Sequence, residues 1–249
     1  MATPDDHQLA ADLATRAGEL LVGVRAELAD SVDGKTLKDE GDRRSHEFLM
    51  RLLAEHRPDD AVLSEEGKDD LDRLSAPRVW IVDPLDGTRE FGEPPRSDWA
   101  VHVALVEAGV PTAGAVALPG LEVTLHTGEP PVVPAAPGGG PRIICSRTRP
   151  GPAAERLADA LDGELIYMGS AGAKAMAVVR GEADIYAHTG GQYEWDSCAP
   201  VAVAHAAGLS ATRLDGTPLV YNNEDTYLPD LLICRPELTD AVLGVLSQA

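Results

Sequence analysis

The sequence predicts an α/β protein of two lobes, and three observations support this prediction. Helical periodicity near the amino terminus gives way to strand-like apolar runs between 61 and 126. Residues 128–142 read GEPPVVPAAPGGGPR, which holds too many Pro and Gly residues for a regular element. After it, strands alternate with helical patterns, as in layered α/β units. We therefore expect an α+β lobe over 1–130, a connection over 131–141 and an α/β lobe over 142–249.

Two helices are predicted at the start of the chain. Apolar residues over 9–28 recur at three- and four-residue steps, which indicates an amphipathic helix. A second apolar stripe predicts a helix over about 43–56, which Pro58 closes. Asp39 or Asp42 would cap the exposed N–H groups at its start.

Nine strand-like runs follow, each short and rich in apolar residues. The first set lies at 61–64, 78–82, 99–106, 114–118 and 121–126. The second set lies at 143–145, 164–168, 183–187 and 231–234. Helical patterns that begin at 153, 171, 197 and 236 alternate with the second set. The first lobe should pack helices against one sheet, and the second should form a layered unit.

Composition excludes several functional classes. The 249 residues include 41 Asp and Glu against 21 Lys and Arg, a formal charge of −20, so a nucleic acid or an acidic membrane would be repelled. No signal-like segment and no apolar run of membrane-spanning length is present, and we expect a cytoplasmic protein. The three Cys residues match no disulfide framework or zinc-ligand spacing.

The stretch RVWIVDPLDGTREF, residues 78–91, carries the most chemical information. An apolar strand delivers Asp83 and Asp86 into a turn, where they can face one hard cation together with the Leu85 carbonyl. Mg²⁺ suits such oxygen ligands, and the N–H groups of Gly87 and Thr88 could hold phosphate oxygens. Two alternatives are an Asx-type turn that only caps a short helix, and a phosphoaspartyl phosphatase pattern, which the three-residue spacing disfavours.

Two further acidic sites follow strands or precede helices. Glu65 and Glu66 stand at the end of the 61–64 strand, and Asp196 stands just before an apolar helical segment. Each also has an ordinary structural interpretation, because exposed Glu pairs are common and an Asp in this position caps a helix.

Four motifs in order, SEEG, DPLDGTREF, GSAGAK and WDSCAP, resemble the Mg²⁺-dependent, lithium-sensitive phosphatases related to inositol monophosphatase. The resemblance is strongest to the 3'(2'),5'-bisphosphate nucleotidase branch, the CysQ type, and above all to its actinobacterial and mycobacterial members. It implies a five-layer αβαβα fold. It also implies hydrolysis of 3'-phosphoadenosine 5'-phosphate to AMP during sulfate assimilation. Family members are often dimers, which leaves a homodimer open.

The resemblance assigns the metal ligands residue by residue. Glu65, Asp83 and the Leu85 carbonyl would hold one Mg²⁺, and Asp83, Asp86 and Asp196 would hold a second. Glu65 would also help to hold a third ion. Two to three Mg²⁺ ions and inhibition by Li⁺ are therefore expected.

The resemblance also assigns the catalytic residues. The family's attacking water is held by metal and assisted by an Asp and a Thr, which correspond to Asp42 and Thr88, with Glu65 as a further catalytic residue. The motif around Asp42 departs from the family pattern, so Asp39 remains an alternative and a helix-capping role for Asp42 stays open. A cation lowers the pKa of its bound water, and a carboxylate can accept the proton.

Substrate contacts are expected beside the metals and in the segment 168–178. That segment predicts a strand end, a Gly-rich turn and a helix start, where Ser170 and Lys174 could meet a sugar or a second phosphate. The alternative is that the turn only packs against the sheet and that Lys174 is solvated. The remaining substrate-binding candidates are Gly87, Thr88 and Asp196.

Three functions remain open at this point. The leading one is the 3'-phosphatase acting on 3'-phosphoadenosine 5'-phosphate. A related phosphatase acting on inositol 1-phosphate or fructose 1,6-bisphosphate is the second, although Thr189 stands where inositol-type members usually carry Glu. The third is a non-catalytic sensor that binds metal and nucleotide.

Overall fold

The computed structural model describes residues 2–247 and contains two five-stranded sheets with helices between and outside them. The helices are α1 (Pro4–Leu28), α2 (Gly34–His56), α3 (Thr88–Phe91), α4 (Pro152–Leu161), α5 (Ala171–Val179), α6 (Glu194–Ala206) and α7 (Thr239–Leu246). The strands are β1 (Ala61–Ser64), β2 (Val79–Asp86), β3 (Ala100–Glu107), β4 (Val110–Leu118), β5 (Val123–His126), β6 (Arg142–Ser146), β7 (Glu164–Met168), β8 (Ile185–Tyr193), β9 (Ser210–Thr212) and β10 (Tyr227–Cys234).

The first sheet has the order β1-β2-β3-β4-β5, with β1 parallel to β2 and the other pairs antiparallel. It is buried on both faces, which explains why β2 is an unbroken apolar run before its carboxylates. Alternate side chains face opposite ways. Trp80 and Val82 pack against α1 and α2, whereas Val79 and Ile81 pack against α5 and α6.

The second sheet has the order β7-β6-β8-β10-β9. Its inner face packs on α5 and α6, and its outer face packs on α4 and α7, with Leu157 and Val242 in the outer core. The layers are therefore two helices, a sheet, two helices, a sheet and two helices. This arrangement confirms the predicted α/β class and the αβαβα order.

The central layer joins the two sheets into one molecule. Met176 of α5 and Ala199 of α6 share a hydrophobic core with Ile81 of the first sheet and Ile233 of the second. The first sheet ends at His126 and the second begins at Arg142, on either side of the Pro- and Gly-rich stretch. The two-lobe division and its boundaries stay a prediction.

The predicted start of the second helix is wrong. Helix α2 begins at Gly34, about nine residues before the predicted start, and its cap is Asp33, whose Oδ1 accepts a hydrogen bond from Thr36 N at 2.8 Å. Gly41 lies inside this helix. The position accepts only a residue without a side chain, because a Cβ there would stand 2.7 Å from the Phe91 ring. A residue that usually weakens helices is thus required for close packing.

Asp39 and Asp42 consequently lie within α2 and do not cap it. The other predicted elements are present with shifted ends, and β8 extends to Tyr193, well past the predicted end at residue 187. Strand β9 was not predicted. Cys145, Cys198 and Cys234 are buried free thiols. Within residues 2–247, no helix combines the length and the apolar character needed to cross a membrane.

Candidate active site

The site forms where β2 leaves the first sheet. Asp83 pairs with His102 and Asp86 pairs with Ala100, so three residue steps on β2 match two on β3. This β-bulge changes the alternation of side chains, because an extra residue turns the strand. Asp83 and Asp86 therefore point to the same side, although they are three residues apart.

Asp196 joins them from the first turn of α6. Each of the three Asp residues places one carboxylate oxygen within 4.8 Å of the others. Asp83 is 1% exposed and Asp86 is 6% exposed. Within the described part of the chain, no Lys or Arg forms an ion pair with any of the three. Crowded oxygen ligands without a Lys or Arg ion pair suit a hard divalent cation, so this triad could hold a metal ion.

The carboxylates destabilise one another in the absence of a cation. Burial raises the pKa of Asp83 well above its ordinary value, and the neighbouring charges of Glu65 and Asp86 raise it further. Burial, together with the charge of Asp86, raises the pKa of Asp196 to about 6. Both pKa values are raised because negative charge in a desolvated site is not neutralised. A bound cation would neutralise it.

Asp86 differs from its neighbours because polar groups surround it. Burial alone would raise its pKa, but His102 and Ser170 reverse the shift, and the pKa lies below the ordinary Asp range. His102 Nε2 lies 3.2 Å from Asp86 Oδ2, and Ser170 Oγ donates a hydrogen bond to the same oxygen. The N–H groups of Ala171 and Gly172 donate to Asp86 at 3.1 and 2.6 Å. The carboxylate is thus fixed in its ionised form.

Glu65 reaches the triad from the end of β1. Its backbone N donates to Val82 O at 3.3 Å, which places the residue beside the end of β2. The residue as a whole is exposed, but its carboxyl contacts that of Asp83 inside the cleft. Burial raises the pKa of Glu65 to about 7, and the charges of Asp196 and Asp86 contribute.

Asp42 and Thr88 meet on the α2 side of the cleft. Thr88 Oγ1 lies 3.4 Å from Asp42 Oδ1 and donates to the Leu85 carbonyl at 3.0 Å. Burial and the charge of Glu66 raise the pKa of Asp42 to about 7. Asp39, by contrast, forms an exposed ion pair with Lys35 at 2.6 Å. The structure therefore brings Asp42, and not Asp39, to the Thr88 hydroxyl.

The turn at Gly87 requires its residue type. Gly87 has φ +81°, a left-handed conformation, and a Cβ there would stand 2.9 Å from Ser170 Cβ. It caps α3, which is only one turn long. Asp86 and Gly87 thus form a turn, as the alternative interpretation of this motif predicts. Asp83 and Asp86 nevertheless also lie beside Asp196.

The turn before α5, within the segment 168–178 that was predicted to contact substrate, makes contacts within the protein. Its Ser170 hydroxyl and first N–H groups bind Asp86. Lys174 is 5% exposed, so the alternative of a solvated lysine is wrong. Its Nζ donates to the carbonyls of Gly169 and Ser170, and burial lowers its pKa.

Some residues of the site were not anticipated. His102 is fully buried, with Nδ1 2.9 Å from Trp195 O, and it connects β3 to both Asp86 and α6. Its only signal in the sequence was a lone His within an apolar strand. Two contacts also hold the sheets' loops together across the cleft. Arg147 Nε donates to Glu90 at 2.7 Å, and Gly169 N donates to Asp98 at 2.6 Å.

A cavity of about 540 Å³ opens beside the triad. Its lining includes the acidic residues Asp86 and Asp196, the hydroxyl of Thr88 and the basic residues Arg149 and Lys174. Its volume lies within the range of about 300–1,000 Å³ that is usual for small-molecule sites. Negative ligands for a cation and positive groups for an anion thus line one cleft.

Comparison with known proteins agrees with this geometry. Residues 5–130 and 145–248 match the model of the inositol monophosphatase family. The chain is 49% identical to the 3'-phosphoadenosine 5'-phosphate phosphatase of Mycobacterium leprae, over 98% of this chain and 94% of that protein. It is 51% identical to the protein of the same name from Mycobacterium bovis, over 94% and 90%.

A solved structure with a similar fold is CysQ from Bacteroides thetaiotaomicron, described as a bacterial member of the inositol monophosphatase family. The two chains are 28% identical with a TM-score of 0.79, over 93% of this chain and 97% of the other.

Proposed function

The chain belongs to the inositol monophosphatase family, and from this premise we propose that it is a Mg²⁺-dependent phosphatase that converts 3'-phosphoadenosine 5'-phosphate to AMP and phosphate. The observation that carries the reaction class is the largely buried triad of Asp83, Asp86 and Asp196. The triad has no ion pair with a Lys or Arg among residues 2–247, and it borders a cavity of substrate size. The substrate follows from the relatives at about 50% identity, which bear the name of this activity.

The acidic residues form the proposed metal site. Asp83, Asp86 and Asp196 would hold one Mg²⁺, and Asp83, Glu65 and the Leu85 carbonyl would hold another. Glu65 would also serve a third ion. When bound, Mg²⁺ supplies positive charge that neutralises the phosphate and makes a water molecule more acidic. The raised pKa values of Asp83, Asp196 and Glu65 support this assignment, because a cation would relieve their repulsion.

Asp42 is the proposed base for the attacking water, and Thr88 is the residue that would position this water. A carboxylate accepts a proton most effectively when its pKa lies near the working pH, and the pKa of Asp42 is about 7. The Thr88 hydroxyl, 3.4 Å from Asp42 Oδ1, would orient the same water. We therefore assign proton acceptance to the Asp42 carboxylate, with Thr88 positioning the water and Glu65 completing the catalytic set.

The substrate would bind beside the acidic triad, in the cavity that Arg149 and Lys174 also line. Gly87 and Thr88 would present N–H groups to the phosphate that is removed, and Asp196 would contact the sugar. Lys174 would meet an anionic group of the substrate, because its ammonium has three donors and two of them serve backbone carbonyls. Ser170 stays a predicted substrate contact, although its hydroxyl serves Asp86.

Three further properties belong to this proposal. We expect inhibition by Li⁺, a cytoplasmic location and a role in removing a by-product of sulfate assimilation. A homodimer also stays a prediction.

Phosphate release from three substrates tests the proposal. Adenosine 3',5'-bisphosphate, inositol 1-phosphate and fructose 1,6-bisphosphate are each supplied with Mg²⁺, with Mg²⁺ plus Li⁺, and with EDTA. We expect strong preference for the nucleotide and loss of turnover with Li⁺ or EDTA. Preference for the inositol or sugar phosphate would overturn the substrate. Nucleotide binding without any phosphate release would instead favour the sensor.

A further inference from the structure

Gln192, near the end of β8, carries a buried amide that lacks a hydrogen-bond partner. The residue is 4% exposed, and neither Nε2 nor Oε1 has a partner among residues 2–247. An amide removed from water without partners is unfavourable, so buried amides in folded proteins are almost always hydrogen-bonded. A group outside the chain is therefore expected to complete the hydrogen bonds of this side chain.

The position of Gln192 indicates what that group is. Gln192 lines the same cavity as Asp86 and Asp196. Among the described residues that line this cavity it is the one side chain with an amide, and both polar atoms of that amide are unused. A phosphate needs cations or N–H donors, whereas an amide offers a donor beside an acceptor. Its natural partner is a ligand edge with the complementary acceptor and donor.

Two exposed aromatic rings stand at the same part of the cavity. Tyr193 is 47% exposed and Tyr227 is 46% exposed, and both line the cavity. Their ring centroids are 6.1 Å apart, and Trp195 stacks on Tyr193 at 4.9 Å. Partly exposed rings in a cleft provide surfaces on which nucleobases stack. The amide and the rings therefore offer the two interactions that a base requires.

We propose that Gln192, Tyr193 and Tyr227 form the nucleobase subsite of the cleft, in which the Gln192 amide recognises adenine. Adenine presents its N6 amino donor next to a ring-nitrogen acceptor, and Gln pairs with such an edge through two hydrogen bonds. This inference rests on the proposed nucleotide substrate and adds the residue that selects the base. It places the base against these three side chains and the reacting phosphate beside Asp86, within the same cavity.

A cycle between residue and substrate tests the proposal. We would measure kcat/KM for adenosine 3',5'-bisphosphate, for its analogue whose purine lacks the N6 amino group, and for ribose 3,5-bisphosphate, which has no base. The variant is Gln192→Met, which keeps the length of the side chain and removes the amide. Gln8→Met makes the same change on α1, where the exposed Gln8 side chain donates to Asp12 outside the cleft, and serves as the control.

The expected result is loss of base discrimination. Wild-type enzyme should prefer the adenosine compound over the analogue by about 5- to 150-fold, the range for one such paired contact. Gln192→Met should bring that ratio close to one and leave the ribose compound unchanged. If the substitution lowers kcat/KM equally for all three substrates, its effect is a structural defect only, and that result would overturn the proposal. An unchanged ratio would overturn it as well.

Two further measurements distinguish failure of this inference from failure of the variant to fold and from failure of the proposed function. If Gln192→Met does not fold, a wild-type ratio near one suffices to reject the inference. If wild-type protein hydrolyses no nucleotide, the proposed function fails, and calorimetric titration with AMP and with ribose 5-phosphate then tests the subsite alone. At least tenfold tighter binding of AMP, lost in Gln192→Met, would support the subsite, whereas equal affinities would reject it.

Discussion

Buried Asp residues occur in two different environments in this protein. Asp184 in the second sheet region is held by Arg142 at 2.9 Å and by Arg235 at 2.6 Å. Asp83 at the end of β2 has other carboxylates and His102 around it, and no Lys or Arg partner within residues 2–247. Both side chains are at least 95% buried. The difference therefore lies in the partners and not in the exposure.

The pKa values follow the partners. Burial alone would raise the pKa of Asp184, but the bonds from Arg142 and Arg235 lower it to about 2. Asp6 behaves in the same way, because Arg78, Thr3 and Arg57 lower its pKa in spite of burial. In the triad, by contrast, the pKa of Asp83 is raised. Asp184 and Asp6 thus have arginine partners that neutralise their charge, whereas Asp83 has none among residues 2–247.

Among these predictions, Asp83→Asn should have the largest effect, which is on turnover and not on stability. A cation at such a site contributes several kcal/mol to the transition state, so we expect at least about a thousandfold loss of Mg²⁺-dependent turnover. Without Mg²⁺, the variant should melt no lower than wild type, because one repelling charge is removed. Phosphate release and calorimetric melting measure the two effects. Near-normal Mg²⁺-dependent turnover in this variant would contradict the metal assignment.

Asp184→Asn should have the opposite effect. Removing one member of a buried ion pair leaves arginines without a counter-charge, and we expect a loss of about 3 kcal/mol in the free energy of unfolding. For a chain of this size the melting temperature should fall by about 6–12 °C. The kcat per folded molecule should change little. An unchanged melting temperature would show that the arginines find other partners.

Asp42→Asn and Asp39→Asn form a matched pair on α2. A lost general base lowers the rate by about a hundredfold or more, so Asp42→Asn should lose at least that much in kcat. Asp39→Asn only removes an exposed ion pair with Lys35 and should keep its activity. Equal losses in both variants, measured at saturating Mg²⁺, would reject Asp42 as the base.

The effect of pH on Mg²⁺ binding is the smallest expected difference. Unfolded Glu and Asp titrate near pH 4, whereas the pKa values of Glu65 and Asp196 in the fold are about 7 and 6. The folded state therefore binds more protons between pH 4 and 7, and these carboxyls favour folding less as the pH rises.

Mg²⁺ competes with those protons. The rise in melting temperature on adding Mg²⁺ should consequently be larger at pH 8 than at pH 5.5, by about 2–4 °C. Asp83→Asn should abolish most of this difference. A Mg²⁺ effect that is the same at both pH values would show that these carboxyls do not hold the ion.

Much of the fold could be predicted because its signals are local. Runs such as AVLS at 61–64 and helical stripes such as residues 9–28 depend only on neighbouring residues. The start of α2 could not be predicted in this way. Gly41 reads as a helix-weakening residue until the ring of Phe91 is known to lie against it.

The sequence by itself determined the α/β class and the acidic motifs, because periodicity and spacing are written along the chain. The resemblance of those motifs to the inositol monophosphatase family then implied the αβαβα order. Only the tertiary structure decided how those motifs are used. The bulge turned Asp86 toward Asp83, α2 brought Asp42 to Thr88 across 46 residues, and the buried His102 came to lie beside Asp86. Gln192 became an unpartnered amide only in the folded cleft. Such contacts join residues far apart in sequence, and packing of the whole chain is what sets them.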